Sequence, residues 1–167
     1  MQVKRLSVIL AGIPIRAIYT SPLERAVETA DEIAIPHNLR PIHDQALGEM
    51  RFGDWEGKTF SELECDEMWQ GFNQVRSMVR PPNGELMIAV QARMLEAANR
   101  MRGAHQDAVI ALVSHADPLR ALIACFMGVA LDHLQRLRLD PASVSIVRCN
   151  GRWLEVAALN YTGSVTI

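Results

Sequence analysis

The sequence predicts an α/β protein, a three-layer α/β/α arrangement around a mostly parallel sheet with an antiparallel edge. Segments of strand character alternate with segments of helical period, the order that builds parallel sheets covered by helices. The run Ala108–Ser114 is apolar with polar residues only at its borders, the pattern of a strand buried on both faces. Near the C-terminus, Asn150-Gly151 separates two strand-like stretches, a hairpin signal that supplies the antiparallel edge.

Taken in order, Val3, Leu6, Ile9 and Leu10 recur at helical spacing, and Gly12 and Pro14 follow where a helix ends. Ile15 to Thr20 is rich in β-branched and aromatic residues and reads as a strand. Ser21-Pro22-Leu23-Glu24 has the form of a helix start, with Ser21 as the cap, Pro22 in the first position and Glu24 closing a capping box. Ala26, Ala30, Ile33 and Ala34 continue that helix to Pro36, and Leu39 to Ile42 suits a short edge strand. Gln45 to Lys58 holds Gly48, Gly53 and Gly57 without a period and reads as a loop. Phe60 to Val79 is expected to be helical, and Arg80-Pro81-Pro82-Asn83-Gly84 ends it. Met87 to Met101 is a further helix with Val90, Met94, Ala97 and Met101 along one stripe. After the apolar strand, His115-Ala116-Asp117-Pro118 turns into a helix from Leu119 to Met127, with Asp117 placed to cap it from Pro118 onward. A helix near Leu131 to Leu137 precedes the hairpin strands, Ala142 to Cys149 and Trp153 to Leu159.

Composition narrows the functional classes. At 167 residues the chain suits one domain with a full core, so 1–167 is read as a single unit. A net charge of −2 lacks the basic footprint that nucleic acid or an anionic membrane surface requires. No apolar window is long enough to span a bilayer. Lys4 and Arg5 lie early, but the short apolar run after them leads straight into Pro14, so this end reads as part of the fold rather than a leader. Cys65, Cys125 and Cys149 have no C-x-x-C spacing. Neither a disulfide framework nor a zinc site is expected, and a cytoplasmic location with reduced thiols follows.

Two strand-to-helix junctions stand out, Thr20-Ser21-Pro22 and Ser114-His115-Ala116. In a parallel sheet all strand C-termini share one rim, where ligands bind and helix N-termini favour an anion. Arg25 in the first turn of one helix and His115 at the mouth of the other strand suit a phosphate better than a neutral ligand. Taken singly, each has a plain reading as a surface charge or a structural cap, and Glu49 as a loop carboxylate.

The local wording of these segments is more specific. Ile18-Tyr19-Thr20-Ser21-Pro22-Leu23-Glu24-Arg25-Ala26-Val27-Glu28-Thr29-Ala30 resembles the strand and S-P-L-x-R-A-x-x-T-A helix of the histidine phosphatases, the phosphoglycerate-mutase-like superfamily. Leu47-Gly48-Glu49-Met50-Arg51-Phe52-Gly53-Asp54-Trp55-Glu56-Gly57 resembles its L-x-E-x-x-F-G-x-W-E-G loop. Pro81-Pro82-Asn83-Gly84-Glu85 is similar to the start of its P-x-G-E-S segment, with Leu86 in place of Ser. Val113-Ser114-His115, with Arg120-Ala121 beyond, is similar to its second-histidine strand and helix. The resemblance implies transfer of a phosphoryl group through a phosphohistidine, without metal or cofactor, on a small phosphorylated metabolite. It gives Arg25 and His115 the phosphoryl oxygens, His115 the charge developing in transfer, and Glu49 the proton for the leaving oxygen.

One departure is central. The Arg-His-Gly of the family's opening strand, whose histidine is the nucleophile, occurs nowhere in this sequence. The remaining histidines, His37, His43, His105 and His133, are expected in loops or helices away from the rim. Against the family, the first strand and half a helix are missing, roughly 30 residues by the size of a βαβ unit. Three readings follow: a shortened form of a phosphomonoesterase, inactive as given; a non-catalytic remnant that binds phosphorylated ligands; or His115 as a substitute nucleophile. A pure interaction protein built on Met68, Met78, Met87, Met94 and Met101 is weaker, because such stripes are usually core packing. Loss of a strand from a sheet leaves unpaired edges, so pairing with a second copy as a homodimer is a further expectation.

Overall fold

The computed structural model describes residues 2–151 and 153–163. Met1 and residues 164–167 of the span read as one domain lie outside the described residues, as does Arg152 beside the hairpin tip.

The apolar periods place the elements close to where the sequence puts them. Helix α1 (Gln2–Leu10) leads into strand β1 (Ile15–Thr20), α2 (Glu24–Ala34) and the two-residue strand β2 (Ile42–His43). The glycine-rich loop holds two 3₁₀ turns and gives way to α3 (Phe60–Leu63), α4 (Glu67–Gln74) and the long α5 (Met87–Ala104). Strand β3 (Val109–Val113), α6 (Ala116–Met127), a 3₁₀ segment (Leu131–Arg136) and the strands β4 (Val144–Asn150) and β5 (Trp153–Tyr161) complete the order.

Strands β2, β1 and β3 form a parallel sheet in that order, with β1 in the centre. Ile18 of β1 and Val109, Ala111 and Val113 of β3 meet Leu6, Leu10, Ala30 and Ile33 of α1 and α2 on one face. Tyr19, Ile110 and Leu112 face the opposite layer, the large cluster of Val90, Met94 and Met101 from α5 with Leu122 and Ala124 from α6. Alternation along each strand therefore feeds two cores, and the three layers follow.

The expected parallel sheet and antiparallel pair are both present, and β4 and β5 pair only with each other among the described residues. Several expectations are corrected. Strand β3 is half-exposed throughout rather than buried, because among the described residues its outer edge pairs with no strand. Its two faces are nonetheless covered, and Val144 and Leu159 of the hairpin share those same clusters. The helix expected over 60–79 is two short ones, because Asp66 accepts from the N–H groups of Met68 and Trp69 and starts α4 afresh. Met87, Met94 and Met101 are core, whereas Met68 and Met78 are exposed. The segment near Leu131 is 3₁₀ rather than α. Cys65, Cys125 and Cys149 are free thiols. Among the described residues no helix is long and apolar enough to cross a membrane, and no cluster of metal-ligating side chains occurs.

Candidate active site

The parallel register of β1 and β3 sets Thr20 beside Val113, so the two strand-to-helix junctions lie side by side. The Ser21 N–H donates to the Val113 carbonyl at 2.9 Å, continuing the ladder one step past the strand ends. That step brings Ser21 Oγ to 2.8 Å from His115 Nε2, although the two residues are 94 positions apart in sequence. Ser21 is not the helix cap that the local wording predicts. Its hydroxyl accepts from the Leu23 N–H and is fully buried against the imidazole, and α2 starts at Glu24 without a side-chain cap.

From the first turn of α2, Arg25 turns its Nε–H into His115 Nδ1 at 3.2 Å. A guanidinium cannot accept, so Nδ1 is the unprotonated nitrogen and the ring donates its Nε2–H to Ser21 Oγ. Burial of the ring, which is 6% exposed, lowers its pKa to about 4, with Arg25 and then Arg93 adding to the effect. His115 is therefore neutral near pH 7.

Glu49 completes the group from the loop. Its Oε2 lies 3.6 Å from Arg25 Nη2 and 3.7 Å from His115 Nδ1, and its Oε1 accepts from the Met50 N–H at 2.9 Å. Burial raises its pKa, with Asp117 reinforcing the shift, while the Met50 N–H, Arg25 and Arg93 oppose it. An anion beside His115 repels a carboxylate at this distance, and the direction of the shift already favours the protonated acid.

The loop is fixed by groups the sequence reading did not single out. Arg93 of α5 donates to the carbonyls of Ala46 at 2.6 Å and Glu49 at 3.2 Å, and grips both Glu85 oxygens at 2.9 and 3.2 Å. Ser114 Oγ donates to the Leu47 carbonyl at 2.7 Å. Gly53 has φ +58, and a Cβ there would collide with the Pro82 carbonyl, so this turn and the Pro81-Pro82-Asn83 segment need a glycine at their contact. The sequence signal for Arg93 was its place about two turns into α5, past the Gly84-Glu85 segment, which alone does not reveal its partners.

Asp117 is also reassigned. Helix α6 begins at Ala116 with His115 in the capping position, and Asp117 lies in its first turn. Its two oxygens are held by Arg76 at 2.8 Å and Arg120 at 3.0 Å rather than by backbone. His43 is exposed but pairs in register with Thr20, so it stands on the rim rather than away from it. His105 is tied to the Tyr19 hydroxyl at 2.9 Å. His37 is half-buried, with its Nε2 shielded and without a partner among the described residues. Arg25, Glu49 and His115, by contrast, are brought together at one rim.

An arginine, a histidine and a partly buried carboxyl group thus gather at one strand rim of an α/β sheet, the place where such folds bind ligands. Residues 1–162 match the model of the histidine phosphatase superfamily (branch 1), and the chain belongs to that family. A bifunctional protein of Mycobacterium tuberculosis is 37% identical over 134 residues, covering 79% of this chain but only 36% of that relative's length. Phosphoserine phosphatase 1 of Hydrogenobacter thermophilus is 29% identical over 163 residues, 96% of this chain and 77% of that one. Among solved structures, YhfR of Bacillus stearothermophilus superposes with a TM-score of 0.91 at 34% identity, covering 98% of this chain and 82% of that one.

Proposed function

We propose that this rim is a phosphate-monoester site, with Arg25 and His115 on the phosphoryl oxygens and Glu49 as the proton donor to the leaving oxygen. The observation that carries the reading is the convergence of the three side chains, His115 lying 3.2 Å from Arg25 and 3.7 Å from Glu49. Positive charge and a positioned acid are what phosphoryl transfer asks of a protein. The ester is a small phosphorylated metabolite, a class to which the substrate named for the phosphoserine phosphatase relative belongs.

The chain as given is further proposed to bind such esters without turning them over. In the ligand-free site both ring nitrogens of His115 are engaged, by Arg25 and by Ser21, so the imidazole is held as a hydrogen-bonding group rather than as a free nucleophile. Among the described residues no second histidine joins Arg25 and Glu49. The test is hydrolysis of an aryl phosphate ester by this chain beside its His115→Ala variant. Background rates in both are expected. Turnover that disappears in the variant would sink the assignment of His115 as a stabilising group and make it the nucleophile.

A further inference from the structure

We infer that an anion reaching this rim brings a proton with it onto His115 Nδ1, the ligand drawing Arg25 off the ring. The inference rests on the phosphate-site reading above and adds to it a protonation step at a stated atom.

The two sides of the imidazole are held unequally. Nε2 donates to Ser21 Oγ at 2.8 Å, and that serine is fully buried and pinned by the Leu23 N–H. This contact stays fixed. Nδ1 accepts from Arg25 Nε at 3.2 Å, yet the Arg25 side chain is 62% exposed and starts from the first turn of a helix, free to swing toward a ligand. A proton on Nδ1 in the present arrangement would set two donors against each other. Once the guanidinium turns to the anion, Nδ1 is a buried acceptor without a donor, its nearest charged neighbour being Glu49 Oε2 at 3.7 Å. An unpaired buried acceptor facing an anion is costly, whereas N–H⁺ in the same place makes a charge-assisted bond. The proton leaves hydronium or the protonated buffer, whose bond to it breaks as the Nδ1–H bond forms, and the released water or buffer base stays in solvent; no bond of the anion changes. The charged groups acting on this pair from the surrounding elements are Arg25 of α2, Glu49 of the loop, Arg93 of α5 and Asp117 of α6.

Sulfate is the probe, because it has the charge and shape of a phosphate and does not titrate near pH 6. Calorimetry at pH 6 in buffers of different ionisation enthalpy reads the protons taken up, and ¹⁵N spectra of the histidine rings identify where they go. Uptake approaching one proton per sulfate is expected, with both His115 nitrogens moving to imidazolium positions. Affinity then falls about tenfold per pH unit above the free ring's midpoint. In Arg25→Met, the ligand-free ring titrates higher than in the parent chain. Saturable binding with a neutral His115 ring, or an unchanged midpoint in Arg25→Met, overturns the inference and leaves the site standing. Absence of saturable binding overturns the phosphate-site reading and the inference with it.

Discussion

Replacing Arg76 with methionine is expected to lower unfolding stability by about 3 kcal/mol, the order found when one member of a buried ion pair is removed. Arg76 is 7% exposed, and its guanidinium sits 4.7 Å from the centre of the Phe72 ring. Its Nη1 donates to Asp117 at 2.8 Å and its Nη2 to Asn73 at 3.1 Å. Its Nε is buried without an acceptor among the described residues, so the side chain is committed to the interior by Asp117. Methionine conserves the apolar contact with Phe72 but leaves the Asp117 carboxylate, whose side chain is 14% exposed, with Arg120 alone. The consequence extends to function because Asp117 lies two positions past His115 in the first turn of α6. Urea unfolding of Arg76→Met, Asp117→Asn and the double variant separates the pair from its surroundings. The arginine replacement should cost about 1 kcal/mol in the Asp117→Asn background, once no buried carboxylate is left short of charge. Equal costs in the two backgrounds would show that the pair is not coupled.

The second large effect is acid destabilisation through His115. In the folded protein the ring binds its proton only near pH 4, against 6.5 when unfolded. Between those values the unfolded chain holds more protons, so stability falls as pH falls through the window and the loss is complete below it. The two values correspond to roughly 3 kcal/mol. The His115→Gln variant has no proton to gain there. The stability of the parent chain relative to that variant should decline by this amount from pH 7 to pH 4, read from urea midpoints. Glu49, present in both proteins, largely cancels in the difference. Parallel pH profiles would mean that His115 is not held neutral by its surroundings.

These two groups also mark how far the sequence could be read. Strand β1 occupies Ile15–Thr20 as its β-branched and aromatic run indicates, and the Val90, Met94, Ala97 and Met101 stripe is buried on α5. Such features depend on local period, which the sequence carries directly. Arg25, Glu49 and His115 could be singled out as candidates because each sits in a segment whose wording is distinctive. What was illegible is tertiary. Ser21 has every local mark of a helix cap, but α2 starts only at Glu24, and the hydroxyl, while accepting from the Leu23 N–H, also meets a histidine brought alongside by the parallel register. Asp117 has the marks of a cap as well, and loses that role to Arg76 from a segment 41 residues away. Period also describes the composition of β3 without revealing whether a neighbour covers its edge. The break at Asp66, by contrast, was readable, since an aspartate immediately before a helix-forming segment is a cap signal.

The most direct test of the account is the equilibrium binding of inorganic phosphate to this chain and to its Arg25→Gln variant, measured by calorimetry. Arg25 is largely exposed, so its replacement leaves the fold intact while removing the guanidinium nearest His115. The account predicts saturable binding of one phosphate, weakened at least about tenfold in the variant, as the loss of a charge-assisted contact requires. Phosphate binding of equal strength in the two proteins would place the anion elsewhere and contradict the site.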